Sequence, residues 1–474
     1  MPSLRFPTCF SRRQNIAKAC RWREDFGVSG QTRCVRAFAL AHEDRSDRAR
    51  TIVRRERIFA QKVDFDRPVR HPRSMAIVVQ KYGGSSVADA GRIALVADKV
   101  AAARRRGVDV VVVVSAMGKT TDNLLTLAND AARTGVESPR EAPRRELDML
   151  LTTGERVSMA LLSIALHSRG IDAISFTGSQ SGILTNDRHF DARIIEVRPH
   201  RIEDELHRGR VVIVAGYQGM SYRREITTLG RGGSDTTAVA LAAALGAEAC
   251  EIYSDVDGVY SADPRVVPEA KHLPEVSYAH LQEMAEAGAK VLNAQAVEWA
   301  RRQKITIHAR RTSDPVNESG ATARETVTTA TADRPVRAIV GLDRVVLVET
   351  QASRLPNLTR ALDDLGLSVM DLEVRRETAA FAVGLLNAPD WNRCRSTLLD
   401  VGGHDAHVGE ERAMVSVVGD GLATGGAAIG GFVKAIETFD RVVASPLRLS
   451  GLVPREALAD VQRRLHANFV VEVS

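Results

Sequence analysis

The chain has 474 residues, 44% of them hydrophobic and 26% charged, with a formal net charge of +6. That length predicts two or three domains, and no run of 18 or more apolar residues argues for a membrane span. The basic balance is local: residues 1–74 hold 16 Arg and 2 Lys against 8 acids, a net of +10, leaving −4 for the other 400. It gives no ground for a nucleic-acid surface in the body of the chain.

Residues 1–74 show little helical or strand periodicity. They lack the apolar stretch of a secretory signal, and eight acidic residues argue against an Arg-rich transit peptide. The segment is expected to be disordered, or to lie upstream of a true start at Met75. Three of the five cysteines, Cys9, Cys20 and Cys34, fall within it. Cys250 and Cys394 alone lie beyond, which fits a reducing, cytoplasmic compartment and no disulfide framework.

From residue 75 the pattern is strand, helix, strand. Strands are expected at 76–80, 109–115, 171–176, 211–215 and 249–253. VDVVVVVSAM, from Val108 to Met117, is β-branched and apolar, as suits a strand buried on both faces. Helices are expected over about 89–105, from near Glu155 to Gly170, and over 234–245. Ser234 is read as the N-cap of the last and Gly246 as its C-terminal glycine. This alternation predicts an α/β domain with a mainly parallel sheet, whose ligands gather beyond the carboxyl ends of the strands.

Polar, Gly-rich clusters stand at those ends. KYGGSS offers the Lys81 ammonium and two glycines, Gly83 and Gly84, which permit φ > 0 and close approach of amides to an oxyanion. Taken alone it is equally a tight turn with a surface lysine. VVSAMGKTTDNLL ends a strand in hydroxyls, Thr120 and Thr121 among them. LLTTGERVS puts Glu155 at a helix start, where it either favours the dipole or binds an ammonium group. TTLGRGGSD feeds a helix whose N-terminus carries partial positive charge. There Arg231 can grip a carboxylate, and Asp235 is either a cap or a working acid. YSDVDGVYSADPR is a solvated loop or a nucleotide loop. GAKVLNAQAVEWA sets Lys290 at a helix start, an unfavourable place unless an anion compensates it.

Residues 312–335, rich in Ser and Thr, read as a linker. Two α+β modules follow in 336–474 as a weak repeat of about 70 residues. The first begins at Val336 with a helix near LTRALDDLG. The second begins at Ala413, with helices near GGFVKAIETF and PREALADVQRRLHANF.

The ordered set KYGGSSV, SAMGKTTD, LLTTGERVS, TTLGRGGSDTTAV, YSDVDGVYSADPR and GAKVL resembles the aspartate kinases of the amino-acid kinase fold, over about residues 76–311. The resemblance implies a catalytic domain over 75–311, with a mainly parallel sheet sandwiched by helices, followed by paired ACT-like regulatory or dimerisation modules. It also implies transfer of phosphoryl from ATP to the β-carboxylate of L-aspartate, the first step toward lysine, threonine, methionine and diaminopimelate. On that resemblance Lys81 neutralises the transferring phosphoryl and Asp235 organises the lysine. Glu155 meets the substrate ammonium and Arg231 its α-carboxylate, with Thr121 and Ser234 helping to hold it. Gly83, Gly84 and Ser85 line the phosphates; Ser254, Asp255, Tyr260, Arg265 and Lys290 hold the nucleotide. Mg²⁺ rides on the phosphates, and no protein metal site is expected.

The tail departs from the family pattern. Arg354 and Leu355 stand where a helix-start glycine is usual, and ETFDRVVASPL replaces an asparagine-bearing turn. Binding of a lysine or threonine effector and dimerisation alone both remain open for the modules. A homodimer or higher homo-oligomer is expected, with neither nucleic acid nor membrane as partner. No Gly-rich dinucleotide fingerprint follows residue 336, so no fused homoserine dehydrogenase is expected. The alternatives are a related carboxylate kinase acting on glutamate and a non-catalytic amino-acid sensor.

Overall fold

The structure is a computed structural model that describes residues 76–135, 141–289, 292–317, 320–331, 337–423 and 426–471. The expectation for residues 1–74 lies outside them. In chain order the first part comprises β1 (Ile77–Tyr82), α1 (Ala90–Arg105), β2 (Asp109–Val114), α2 (Thr120–Arg133), α3 (Arg144–Leu151), α4 (Thr153–His167) and β3 (Ala173–Phe176). Then come β4 (Ile183–Thr185), β5 (Ile194–Val197), α5 (His200–His207), β6 (Val211–Ala215), β7 (Gln218–Ser221), β8 (Ile226–Thr228) and α6 (Gly233–Leu245). β9 (Ala249–Ser254), β10 (Val259–Tyr260), β11 (His272–Leu273), β12 (Glu275–Ser277), α7 (Tyr278–Glu286), α8 (Ala294–Gln303), β13 (Thr306–Arg311) and β14 (Thr326–Thr329) complete it.

Eight strands form the main sheet in the order β12-β14-β13-β9-β1-β2-β6-β3. Every neighbouring pair is parallel except β13 with β14. The run of valines in β2 explains the sheet's place. Val110, Val112 and Val114 face α1 and α4, with Val96, Val100, Leu162 and Leu166. Val111 and Val113 face a second layer of α6, α7 and α8. Successive strand residues point to opposite faces, so a strand covered on both sides must be apolar throughout.

α6 is buried from Gly233 to Ala242, and its small residues let it lie close to the sheet. It begins at Gly233 with Gly232 as N-cap (φ 77°). Ser234 therefore sits inside the first turn and does not cap it, contrary to the sequence expectation, whereas Gly246 ends the helix in the left-handed region as expected (φ 61°). The stretch Arg144–His167 is long and apolar enough, by length and composition, to cross a membrane. Its Met159, Leu162 and Leu166 pack into the sheet core, as in a core helix.

The segment expected to be a linker carries β14, which pairs with both β12 and β13. Its Thr326 and Thr328 are buried; Thr326 Oγ1 accepts from Val259 N and donates to Leu273 O. Buried hydroxyls, not apolar side chains, tie this strand down, and composition alone does not reveal that.

The second part comprises β15 (Arg337–Gln351), α9 (Leu355–Leu365), β16 (Val369–Val374), β17 (Thr378–Gly384), α10 (Trp391–Gly402), β18 (His407–Val408), β19 (Arg412–Gly419), α11 (Gly426–Ile436), β20 (Arg441–Ser445), β21 (Arg448–Val453) and α12 (Leu458–His466). One antiparallel sheet, β16-β17-β15-β19-β21-β20, carries both modules. β15 serves both: residues 337–342 pair with β19, and after a bulge at Leu342–Val345 residues 345–351 pair with β17. α10, which the sequence reading did not mark, buries Cys394 and Leu398 in the first module's core.

Candidate functional site

Three loops meet where β1, β2 and β9 end. Lys81 pairs with Val113 and Ile252 across the sheet, and Tyr82 with Val114 and Tyr253. Immediately beyond, Gly83 N donates to Tyr253 O at 3.1 Å and Ser115 N to Tyr82 O at 3.1 Å. Neither Gly83 nor Gly84 has positive φ, so left-handed freedom is not what calls for them. Gly84 is required by close approach: a Cβ there would stand 2.8 Å from Ala116 O. Ser85 follows in a short 3₁₀ turn, Gly84–Val87, and is exposed.

Lys81 shares the face of Val79, turned toward α6. Its Nζ lies 2.7 Å from Asp235 Oδ1, with the two side chains 11% and 8% exposed. Asp235 is in the first turn of α6. The turn before it needs left-handed glycines, Gly230 at φ 73° and Gly232 at φ 77°, and a Cβ at Gly232 would meet Asn293 Cβ at 2.9 Å. Asn293 holds this turn: its Nδ2 donates to Arg231 O at 2.9 Å, and its Oδ1 accepts from Thr236 Oγ1. The Arg231 guanidinium stands out from the turn, 55% exposed, and pairs with Asp122 at 3.0 Å. Ser234 is buried, with its hydroxyl packed so close to Gly216 that a Cβ there would be 2.7 Å away. Thr121 lies in the first turn of α2, partly buried, one residue before Asp122.

Glu155 is buried in the first turn of α4. One oxygen accepts from Ala116 N at 3.0 Å. The other, Oε2, is buried with no hydrogen-bond partner among the described residues. Burial pushes this carboxyl up to about 7, against the pull of the Ala116 amide. Gly154 makes the approach possible, since a Cβ there would stand 2.7 Å from Ala116 Cβ.

The loop expected to hold the nucleotide is more open. Ser254 ends β9 and its Oγ accepts from Val256 N at 3.2 Å, and Asp255 is exposed. Tyr260 donates to Asp257 at 2.7 Å. Arg265 pairs with Asp263 at 2.9 Å and is 71% exposed. Lys290 lies outside the described residues. Among the described residues no group of three or more His, Cys, Asp or Glu is placed to hold a metal ion.

Three residues here were not singled out from the sequence. Asn293 is one. Tyr217, buried and at φ 68°, lies within electrostatic reach of Glu155, Asp148 and Arg231. Asp148 is completely buried on α3. A charged residue within an otherwise apolar helix face was the only signal available for it.

The Amino acid kinase family model matches residues 76–310. Aspartokinase of Mycolicibacterium smegmatis is 57% identical over 237 residues, which is 50% of this chain and 55% of that protein; the match spans about half the length of this relative. Aspartokinase of Corynebacterium glutamicum is 40% identical over 416 residues, 83% of this chain and 96% of that one. Among solved structures, E. coli aspartokinase III in complex with aspartate and ADP (R-state) aligns over 83% of this chain and 99% of its own, with TM-score 0.71 and 27% identity. The same protein with lysine and aspartate (T-state) gives 0.57 over the same shares. With the corynebacterial match running nearly end to end, the chain belongs to the aspartokinase family of amino acid kinases.

Proposed function

We propose that the chain is an aspartate kinase, which transfers the γ-phosphoryl of ATP to the β-carboxylate of L-aspartate and yields 4-phospho-L-aspartate and ADP. The observation that carries this reading is a pair of features at the ends of neighbouring strands: the buried, unpartnered Oε2 of Glu155, whose other oxygen holds Ala116 just past β2, and the buried Lys81–Asp235 pair at the end of β1. The first is an unmet demand for a cationic donor such as an α-ammonium. The second is a positive charge held in place where strand ends and amides converge.

The nucleophile is already ionised at neutral pH, so no general base is needed. The barrier is repulsion between anions, which positioning and fixed positive charge must offset. Lys81 supplies that charge and Asp235 fixes its direction. Glu155 takes the substrate ammonium. Arg231 takes the α-carboxylate, which displaces Asp122, and Thr121 and Ser234 complete the hold. Gly83, Gly84 and Ser85 border the phosphates, and Ser254, Asp255, Tyr260, Arg265 and Lys290 the rest of the nucleotide. At Gly84 a Cβ would meet the Ala116 and Gly118 carbonyl oxygens, so the turn that borders the phosphates admits only glycine there. Mg²⁺ prefers oxygen ligands and would be carried by those phosphates, where it would offset part of their charge.

Residues 75–311 are the catalytic domain and 336–474 the regulatory or dimerisation modules. The lysine complex of the E. coli relative supports an amino-acid effector, lysine or threonine, bound there, and a homodimer or higher oligomer is its natural setting. The free, buried Cys250 and Cys394 suit a cytoplasmic enzyme. An aspartyl-hydroxamate assay with ATP and Mg²⁺, with and without lysine and threonine, tests the whole reading. Aspartate, glutamate, acetylglutamate and UMP form the substrate panel. Turnover of glutamate in preference to aspartate would overturn it.

A further inference from the structure

Asp148 is used by no step above, yet it bonds the strand that runs into Arg231. It follows Leu147 on α3, and Leu147 and Leu151 pack with Phe190 and Tyr217 in a small apolar cluster. A carboxylate in that setting must be fully hydrogen-bonded, and this one is. It accepts from His189 Nδ1 at 2.6 Å, Phe190 N at 3.1 Å and Thr228 Oγ1 at 2.5 Å. Burial raises its carboxyl above the usual range, while Thr228, His189 and the Phe190 amide pull the other way.

The three partners belong to two separate segments. Phe190 has φ 72°, a left-handed conformation that a bulky residue adopts only where its surroundings over-determine it. The Asp148 carboxylate is one determinant. Ala192 N donates to Thr228 O at 2.8 Å, so this turn is fastened to β8 as well. Thr228 is the last residue of β8, and Leu229, Gly230 and Arg231 follow it directly. On its own helical run, Asp148 stands seven residues, about two turns, before Glu155. The strand that launches Arg231 and the helix that runs into the one carrying Glu155 thus meet at one side chain.

We propose that Asp148 is a positioning residue for aspartate: by bonding Thr228 and the Phe190 turn from α3 it sets the span between Glu155 and Arg231. The role rests on the aspartate kinase reading above. No hydrogen bond or ion pair joins Asp148 to Ser254, Asp255, Tyr260 or Arg265, so the effect should fall on one substrate alone.

The test compares Asp148→Asn, Thr228→Val and Thr228→Ser in the full chain. Thr228→Val removes the hydroxyl's bond to Asp148 together with its bond to the Tyr217 phenol, and keeps the side chain's shape. Thr228→Ser keeps the hydroxyl. Steady-state kinetics and calorimetric titration with aspartate in the presence of ADP are read side by side. Asp148→Asn and Thr228→Val should raise the KM and Kd for aspartate about tenfold, given how steeply effective alignment depends on ångström-scale placement. The KM for ATP should stay within about twofold, and Thr228→Ser should restore aspartate affinity. If Asp148→Asn does not fold, the two Thr228 variants carry the same comparison. An unchanged aspartate Kd in folded Thr228→Val, or equal losses for aspartate and ATP, would overturn the role. If the wild-type chain binds aspartate without phosphorylating it, the kinase reading fails, while the calorimetric arm still decides the role of Asp148. If it binds no aspartate, both fail.

Discussion

The two halves of the proposed site, one for aspartate and one for the nucleotide, are built differently. The aspartate half, the exposed Arg231 guanidinium apart, is largely buried, and it is braced from far along the chain: Glu155 leans on Ala116, the Arg231 backbone is held through Asn293, and Asp148 reaches His189, Phe190 and Thr228, which lie 41, 42 and 80 residues away. The nucleotide half is open and satisfied locally, with Tyr260 on Asp257 three residues back and Arg265 on Asp263 two residues back. A small zwitterion has few atoms with which to be recognised, so geometry fixed in advance must do the discriminating. A nucleotide is larger and can be gathered by several loosely held groups. The expectation is that substitutions in the first half act steeply and selectively, and those in the second half shallowly.

Lys81 lies on the seam between the halves and should show the largest effect. Lys81→Ala should lower kcat at least about a hundredfold while the protein stays folded, the order found when one preorganised charge-stabilising donor is removed. Stopped assays with a folded variant measure it. Near-normal turnover would remove Lys81 from the phosphoryl and move the boundary between the halves.

The aspartate half also reaches the second domain. Arg144, at the first residue of α3, bonds Asp390 through Nε at 3.0 Å and donates to Leu365 O, and Arg393 holds Asp390 as well. The Arg144 and Asp390 side chains are 11% and 5% exposed. Removing one partner of such a pair leaves a buried charge unmatched, so Asp390→Ala should cost about 3 kcal/mol, seen as a lower urea midpoint. Burial alone would raise the Asp390 carboxyl, but Arg144 and Arg393 hold it below the usual range. Its stabilisation is therefore present above the ordinary carboxylate pKa and is lost as pH falls through the lowered one. If the midpoint does not move, the aspartate half is braced only from within its own domain.

Glu155 should separate the halves by pH. Glu155→Gln should raise the aspartate KM by about ten- to thirtyfold, the worth of a hydrogen bond to a charged group, and leave the ATP KM unchanged. In the unliganded protein the carboxyl titrates near 7, so a proton and the substrate ammonium compete for it. The aspartate KM should fall as pH rises from 6 to 8, by up to about tenfold per unit below 7, and the ATP KM should not follow. The sign for stability is the reverse: a carboxyl raised by burial favours the folded state at low pH, and that contribution is lost as pH rises through about 7. A flat aspartate KM across this range, or one that tracks ATP, would contradict the assignment.

The same contrast explains what could be seen in the sequence. Residues that act within one loop were legible: the valines of β2, the glycines around Arg231, and Lys81 at the lip of a strand. Gly83 and Gly84 were marked for positive φ and close approach; neither has positive φ, and close approach is what Gly84 needs, against an Ala116 carbonyl that only the neighbouring strand brings there. β14 hid in a polar stretch because its anchors are the hydroxyls of Thr326 and Thr328. Asp148 hid because every one of its partners is distant in sequence; its place on an apolar helix face hints at burial and says nothing of what it braces. Local chemistry appears in a sequence as a motif, whereas a brace between segments has no local signature.

Arg265 should give the smallest effect and so tests the open half most directly. Its guanidinium is 71% exposed, and its ion pair with Asp263 spans two residues of one loop. Exposed pairs of this kind contribute about 0–1 kcal/mol, and water can solvate either partner once the other is gone. Arg265→Ala should therefore leave thermal stability within about 1 °C to 2 °C and raise the ATP KM no more than about fivefold, without touching the aspartate KM. Competitive inhibition by ADP, measured on the same variant, should weaken in proportion. A loss of a hundredfold or more would mean that the loop closes over the nucleotide and desolvates Arg265 when it binds, and the nucleotide half would then be as tightly built in the working complex as the aspartate half is without ligand.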